Sequence, residues 1–279
     1  MINPDNLRTV LNTDIRTPIP EATVSKIISL PPFVPVPGVT NFRDLSHDSN
    51  HVRPGYVYRS GNMSDITDVG KAVLVDQLEI TTIFDLRNQG EREHAPSPDI
   101  PEIETIWMPY GARPASLSLR EFAGEEKGTT GFVKMYTGIL NAATPALTQV
   151  FTHIRDRPDD PFVFHCSAGK DRTGVLAALI LLLVGRPHDE IISDYILTRV
   201  ALESTRENLT HALALHVGSD HLSPEAVGML ELCGVRAHAM AAFLKTFESM
   251  YDGGIEGFLT GKLEFSASDI QTMHQNLVA

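Results

Sequence analysis

Two apolar patterns alternate along this chain. Short runs at Ile80 to Leu86, Ile103 to Pro109 and Phe162 to Phe164 predict buried strands, and Val39 to Arg43 and Gly55 to Arg59 predict two more, with Arg53-Pro54-Gly55 as turn signal. Between and after them, apolar residues recur at helical spacing. Ser64 reads as the N-cap of a helix through about Glu79. Phe132, Met135, Tyr136 and Ile139 mark a helix over Phe132 to Leu140, with core packing as the purpose of the stripe, and Pro145 to Arg155 predicts another. Val175 to Val184 is apolar on every side and predicts a buried helix, too short to span a bilayer. After the break at Gly185-Arg186-Pro187, His188 to Thr198 predicts a helix with Ile191, Ile192, Tyr195 and Ile196 inward. Residues 199–233 carry a weaker helical signal, restarted at Ser223-Pro224-Glu225. Arg236 to Met250 is a further helix, and Ser266 caps the last one, with Asp269 near its N-terminus.

Strands alternating with helices predict an α/β fold: a central, largely parallel sheet with helices on both faces. Residues 1–30 show little periodicity beyond one short helix around Pro20 to Leu30 and read as an N-terminal extension. Pro31 to Gly38 is too proline-rich for helix and reads as an extended lead-in, so that 31–279 forms one domain. A length of 279 residues with 42% hydrophobic content supports one sizeable core.

The formal net charge of −12 argues against nonspecific nucleic-acid binding and against standing attachment to anionic membranes. Two cysteines offer no disulfide framework, and the N-terminus shows no basic start followed by an apolar segment. The expected compartment is cytoplasmic, without an integral membrane segment.

Against this acidic background, one stretch concentrates chemistry: His165-Cys166-Ser167-Ala168-Gly169-Lys170-Asp171-Arg172-Thr173-Gly174, between the run Phe162 to Phe164 and the helix from Val175. A helix opening on such a loop aims unpaired N–H groups and the positive end of its dipole at whatever the loop holds. Those charges, with Lys170 and Arg172, favour the thiolate of Cys166 over the thiol. Arg172 carries a planar fork able to hold two phosphate oxygens. Gly169 permits φ > 0, so that successive N–H groups turn inward as a nest. Thr173 can donate a hydroxyl hydrogen bond to the sulfur as it leaves. A nucleotide-binding loop does not fit, because Asp171 follows the lysine and Phe164 stands at the first glycine position. Cys166 and Cys233 lack zinc-ligand spacing, and His211, His216 and His221 read as solvated or packed rather than as ligands.

Cysteine, five residues, arginine, then Thr-Gly resembles the signature of the cysteine-dependent protein tyrosine phosphatases. The fuller pattern, with His165 and Gly169-Lys170-Asp171, is similar to an atypical branch with secreted bacterial tyrosine and lipid phosphatases and fungal relatives. Asn41-Phe42-Arg43-Asp44-Leu45, Tyr58-Arg59-Ser60-Gly61, Phe84-Asp85-Leu86-Arg87 and Asp194-Tyr195-Ile196-Leu197 match the same branch in the same order, from about residue 36 to the C-terminus. The resemblance implies a three-layer tyrosine-phosphatase-like fold with residues 199–233 as a helical lid. It also implies metal-free hydrolysis of phosphate monoesters through a phosphocysteine, without a cofactor. Cys166 is then the nucleophile, and Arg172 with the loop N–H groups of Ser167, Ala168, Gly169 and Lys170 holds the phosphoryl oxygens. Substrates are phosphotyrosine proteins, with phosphoinositides beside them because Lys170 can meet a second phosphate. A phosphoinositide phosphatase and a non-catalytic phosphate-binding module remain alternatives, and oligomeric state is left open.

Trp107 is followed by Met108-Pro109 and not by the Pro-Asp on which other tyrosine phosphatases place their general acid. Asp171 is the chosen acid, as in relatives with an aspartate at this place, and Asp85 is the alternative. Asp85 and Arg59 lie at or near the C-terminal ends of strands, where open α/β sheets bind ligands, and are expected near the substrate. The competing expectations are that Asp85 pairs with Arg87 and that Arg59 is a solvated strand end.

Overall fold

Alternation along the strands sorts the core. In a computed structural model that describes residues 4–46, 51–109, 117–124, 126–207 and 223–278, five strands form one sheet in the order β1-β2-β5-β3-β4. They are β1 (Arg43–Asp44), β2 (Val57–Ser60), β3 (Thr82–Asp85), β4 (Glu104–Trp107) and β5 (Phe162–His165). Only β1 runs antiparallel to its neighbour. Phe84, Phe162, Phe164 and Val57 face the larger helical layer, whereas Tyr58, Ile83 and Val163 face a smaller cluster with Met63, Ile66 and Leu74. This is the two-residue side-chain period of a sheet covered on both faces. The expected α/β architecture is what forms.

The first two strands start later than expected, and β2 runs one residue past its expected end. Of Val39 to Arg43 only Arg43 enters the two-residue β1, because the proline-rich segment before it pairs through a single bridge, Phe33 with Arg43, rather than a ladder. Ser64 is not an N-cap: its hydroxyl bonds to Asn62 Oδ1, and helix α3 (Asp68–Ala72) is capped by Thr67, whose side chain accepts from Gly70 N. It continues as a π-helical turn over Val73–Gln77.

Helices α4 (Gln89–His94), α5 (Thr129–Ala142), α6 (Thr144–Asp156), α7 (Asp171–Leu183) and α8 (His188–Ala201) follow in turn, with α1 (Pro4–Leu11) and α2 (Glu21–Ile28) before the sheet. Helix α7 is buried from Thr173 through Leu181, which accounts for its lack of a polar face. On α8, Ile191, Tyr195 and Ile196 are buried as expected and Ile192 is only half-buried. After residues 208–222, the middle of the expected lid, which lie outside the described residues and carry the three histidines, come α9 (Pro224–Cys233), α10 (Ala237–Met250), α11 (Gly254–Gly261) and α12 (Ala267–Val278). Ser223 caps α9, and Ser266 with Asp269 closes a reciprocal cap on α12.

The N-terminal segment holds two helices rather than one. Leu11, Ile15, Ile19 and Ile27 are buried there, and the fully buried Arg199 of α8 donates to the carbonyls of Thr13, Asp14 and Thr17. No single helix among the described residues is long and apolar enough to cross a membrane.

The register places four strand ends in one row. Ser60 pairs with His165, His165 with Asp85, and Asp85 with Trp107. The loops leaving these strands therefore emerge side by side. Beneath them, Arg43 and Arg59 are direct cross-strand partners, two like charges without solvent exposure. Asp194 of α8 lies between them: Arg43 Nε donates to its Oδ1 at 2.8 Å and Arg59 Nη1 to its Oδ2. Burial and the Arg59 charge pull Arg43 down to about 10, against the upward pull of Asp194, so that it stays charged at neutral pH.

Asp194→Asn would leave two buried guanidiniums without a full counter-charge. Breaking a buried pair by removing one partner typically costs ~3–5 kcal/mol. Urea denaturation of this variant is expected to show a loss of that order, and a loss no larger than that of a surface Asp→Asn control would refute the role given to Asp194.

Candidate active site

The loop from Cys166 to Arg172 joins β5 to α7, and its shape is set from behind. Three successive carbonyls are held on one side. Ser167 O accepts from the Asn62 backbone N–H at 2.9 Å. Ala168 O accepts from Asn41 Nδ2 at 3.1 Å. Gly169 O accepts from Asn41 Nδ2 at 3.1 Å and from Arg59 Nη2 at 2.8 Å. In a planar trans peptide the N–H points opposite to the C=O. The N–H groups of Ala168, Gly169 and Lys170 therefore project to the other side, as a nest that suits an anion. Gly169 has φ of +65°, and a Cβ there would stand 2.4 Å from Ser60 O, so both the turn and the close approach to β2 require glycine.

Cys166 begins the loop as a free thiol, 2% exposed. Its predecessor His165 is fully buried, with Nε2 3.7 Å from Asp85 Oδ1 and Nδ1 3.3 Å from Cys166 O. Burial lowers His165 to about 4, against the upward pull of Asp85, so the ring is neutral at working pH. The Thr173 hydroxyl is buried and without a hydrogen-bond partner among the described residues, so the expected bond to the sulfur is not formed here.

Arg172 is held by a residue the sequence reading passed over. Glu91 of α4 takes its guanidinium in a fork, Nη1 to Oε2 at 2.6 Å and Nη2 to Oε1 at 2.5 Å, and Nη1 also donates to Leu86 O at 3.1 Å. The same carboxylate accepts from Ser167 Oγ at 2.6 Å. Burial raises Glu91, but the hydrogen bonds from Arg172 and Ser167 outweigh it and hold the carboxyl down at about 2. Of the five guanidinium N–H groups, those on Nε and one on Nη2 remain, and they form one edge that can face a phosphate. A signal for Glu91 existed in the sequence, since Asn88 and Glu91 form a capping box that fixes α4. Nothing along the chain links it to Arg172, 81 residues away.

The other expected site residues fall on two sides of the loop. Asp171 opens α7. Its Oδ1 accepts from the Tyr136 hydroxyl at 2.9 Å and lies 3.5 Å from Lys170 Nζ, and its side chain is 25% exposed. Lys170, expected to meet a second phosphate, points the other way: its buried ammonium donates to the carbonyls of Leu232 and Gly234, the latter at 2.9 Å, and sits 5.3 Å from the Phe132 ring centroid. The carbonyls that end α9, with the Asp171 carboxylate at 3.5 Å, thus take up the charge expected at the substrate.

Arg59, expected near the substrate or as a solvated strand end, is fully buried and braces the loop from below. Asp85 is also fully buried, clasped by Arg87 through Nε at 2.9 Å and Nη2 at 2.8 Å and by Ser97 Oγ at 2.7 Å. Burial pushes its carboxyl up, but these hydrogen bonds and the His165 interaction bring it down to about 2. Trp107 donates its Nε1–H to Arg87 O at 2.9 Å, with the Arg92 guanidinium 4.8 Å over its ring.

Comparisons with known proteins place the chain among phosphatases. The chain is 27% identical over 255 residues to the triple specificity protein phosphatase PtpB of Mycobacterium tuberculosis, covering 80% of this chain and 91% of that one. It is 30% identical over 227 residues to a tyrosine-protein phosphatase of Nostoc commune, covering 78% and 73%. Among solved structures, the Siw14 catalytic core overlaps 64% of this chain and 85% of its own at 15% identity, with a TM-score of 0.37. The profile of the tyrosine phosphatase family matches residues 34–279, from the proline-rich lead-in through the cradle to the last helix, and the chain belongs to that family.

Proposed function

We propose that this protein hydrolyses phosphotyrosine in protein substrates through a phosphocysteine, with Cys166 as nucleophile and Asp171 as general acid. The observation that carries the reading is the anchoring of the Ser167, Ala168 and Gly169 carbonyls from behind, which turns the following N–H groups to the opposite side of the loop as a nest for an anion. The thiolate attacks phosphorus, the S–P bond forms as the bond to the leaving oxygen breaks, and Asp171 gives that oxygen its proton. Water then attacks phosphorus, the S–P bond breaks, the thiolate is restored, and Asp171 takes the proton from water. The nest and the remaining edge of Arg172 hold the equatorial oxygens throughout.

Asp171 suits the acid role better than Asp85. The Asp85 carboxyl is buried, engaged on both oxygens and held ionised, whereas Asp171 is partly exposed at the loop. A thiol nucleophile also suits a reducing compartment, which supports the cytoplasm as its place of work. PtpB is described as a triple specificity phosphatase, which supports a substrate range wider than phosphotyrosine here, with phosphoinositides as the class to test. Lys170 is not the residue that would select them, since its ammonium is spent on Leu232 and Gly234.

Cys166→Ser is expected to abolish turnover while phosphate binding stays measurable by calorimetry; substantial residual hydrolysis would overturn the phosphocysteine route. General acid catalysis typically contributes ~10²–10⁴-fold. Asp171→Asn should therefore lower kcat strongly on phenyl phosphate and weakly on p-nitrophenyl phosphate, whose leaving group barely needs a proton. The same pattern in Asp85→Asn, and not in Asp171→Asn, would exchange the two roles.

Glu91→Ala frees the Arg172 fork and is expected to reduce kcat/KM about tenfold or more on every phosphate ester, with Glu91→Gln intermediate; unchanged kcat/KM would show that Arg172 needs no tether. Lys170→Met should lower kcat/KM by similar factors on a phosphotyrosine peptide and on phosphoinositide micelles. A loss confined to phosphoinositides would return Lys170 to the substrate.

A further inference from the structure

We infer that Tyr136, backed by Tyr195, is a positioning residue for the general acid: its hydroxyl claims Oδ1 of Asp171 and thereby assigns the transferable proton to Oδ2. This rests on the reading of Asp171 as the acid.

The argument begins with hydrogen counting. A tyrosine hydroxyl has one proton to donate. Tyr136 Oη lies 2.9 Å from Asp171 Oδ1 and 2.8 Å from Tyr195 Oη. A carboxylate oxygen only accepts, so the Tyr136 proton goes to Asp171 and the Tyr195 proton goes to Tyr136. The three groups form a directed chain, Tyr195 to Tyr136 to Asp171, running from α8 through α5 to the first residue of α7.

That chain is rigid and always loaded. Both tyrosines are essentially without solvent exposure. The Tyr136 ring packs edge-on against Phe243 at 5.5 Å and tilted against Phe132 at 5.7 Å. Burial, with the Asp171 charge adding to it, holds both hydroxyls well above the ordinary tyrosine value, so they remain protonated donors across the working pH range.

The two oxygens of Asp171 are consequently unequal. Oδ1 accepts from Tyr136 and faces the Lys170 ammonium at 3.5 Å, a place where a proton is disfavoured. A proton taken up by the carboxyl therefore resides on Oδ2. When the bond between phosphorus and the leaving oxygen breaks, that proton passes from Oδ2 to the leaving oxygen, and the tyrosine pair keeps the carboxyl plane aimed. A proton donor held in one orientation avoids the cost of finding it in the transition state. The arrangement also gives a purpose to Tyr195 in the segment Asp194-Tyr195-Ile196-Leu197: Asp194 braces the cradle and its neighbour supports the acid.

Tyr136→Phe keeps the ring and removes only the donor. Steady-state kinetics on phenyl phosphate and p-nitrophenyl phosphate, in the wild-type and Asp171→Asn backgrounds, separates the outcomes. The expected result is a fall in kcat of about five- to twentyfold on phenyl phosphate, less than threefold on p-nitrophenyl phosphate, with KM little changed. In the Asp171→Asn background Tyr136→Phe should add no further loss, because the carboxylic proton it orients is gone. Tyr195→Phe, which leaves the contact to Asp171 intact, should give the same leaving-group pattern in weaker form, and it decides the question if Tyr136→Phe does not fold. Equal losses on both substrates, or losses that multiply with Asp171→Asn, would overturn the positioning role and leave Asp171 as acid. If Asp171→Asn itself shows no leaving-group dependence, the acid assignment falls and this inference falls with it.

Discussion

A single buried carboxylate holds the active end of this fold together. Asp194 stands between two guanidiniums that the sheet register forces side by side, and neither Arg43 nor Arg59 has solvent to turn to. Removing ions from water costs several kcal/mol each even after relaxation, and only close pairing with further hydrogen bonds offsets it. The fold supplies those bonds. Arg43 also reaches Asn41 Oδ1, Asp194 O and Thr198 Oγ1, and Arg59 reaches Gly169 O. Asn41, fixed through its oxygen by Arg43, turns its amide to the carbonyls of Ala168 and Gly169. The charge cluster and the anion cradle are one network. Distorting the first moves the peptide planes that make the second.

The opposite side of the loop is built by the same device. Asp85 clasps Arg87, and Glu91 clasps Arg172 while taking the Ser167 hydroxyl. In a chain of net charge −12, the arginines near the loop are largely neutralised in place. What faces a substrate is then backbone N–H groups and one edge of Arg172 rather than a broad positive surface. On the proposed reading, such a site recognises a phosphoryl group by shape and by hydrogen-bond direction. That suits a phosphatase which must release inorganic phosphate after each turnover.

Two lysine and tyrosine contacts tie this cradle to the helical layer. Lys170 ends its reach on the carbonyls that close α9, and Asp171 receives Tyr136 from α5 with Tyr195 of α8 behind it. The loop therefore responds to the packing of three helices besides α7. Lys170 thereby ties the C-terminal end of α9 to the first turn of α7.

The strand–loop–helix at Cys166 was legible in the sequence because its information is local. A buried strand, a positive-φ glycine and an all-apolar helix are properties of neighbouring residues, and the α/β alternation follows from the same periodicities. The sequence by itself thus determined the fold class and the strand–loop–helix that carries Cys166 and Arg172. Element boundaries such as Thr67 rather than Ser64 depended on which hydroxyl met a free N–H, and the contacts of Leu11, Ile15 and Ile19 with the body lie outside any local pattern. Only the tertiary structure decided what the remaining charges do. Arg59 meets Asp194 across 135 residues, Arg172 meets Glu91 across 81, and Tyr136 meets Asp171 across 35. A helical stripe reports the Tyr136 ring and is blind to its hydroxyl. A lysine beside a cysteine reads as a substrate contact until α9 brings two carbonyls to it. Periodicity records which side of an element is apolar, whereas a polar group's partner is set by how elements pack, and that is fixed only when the chain is folded.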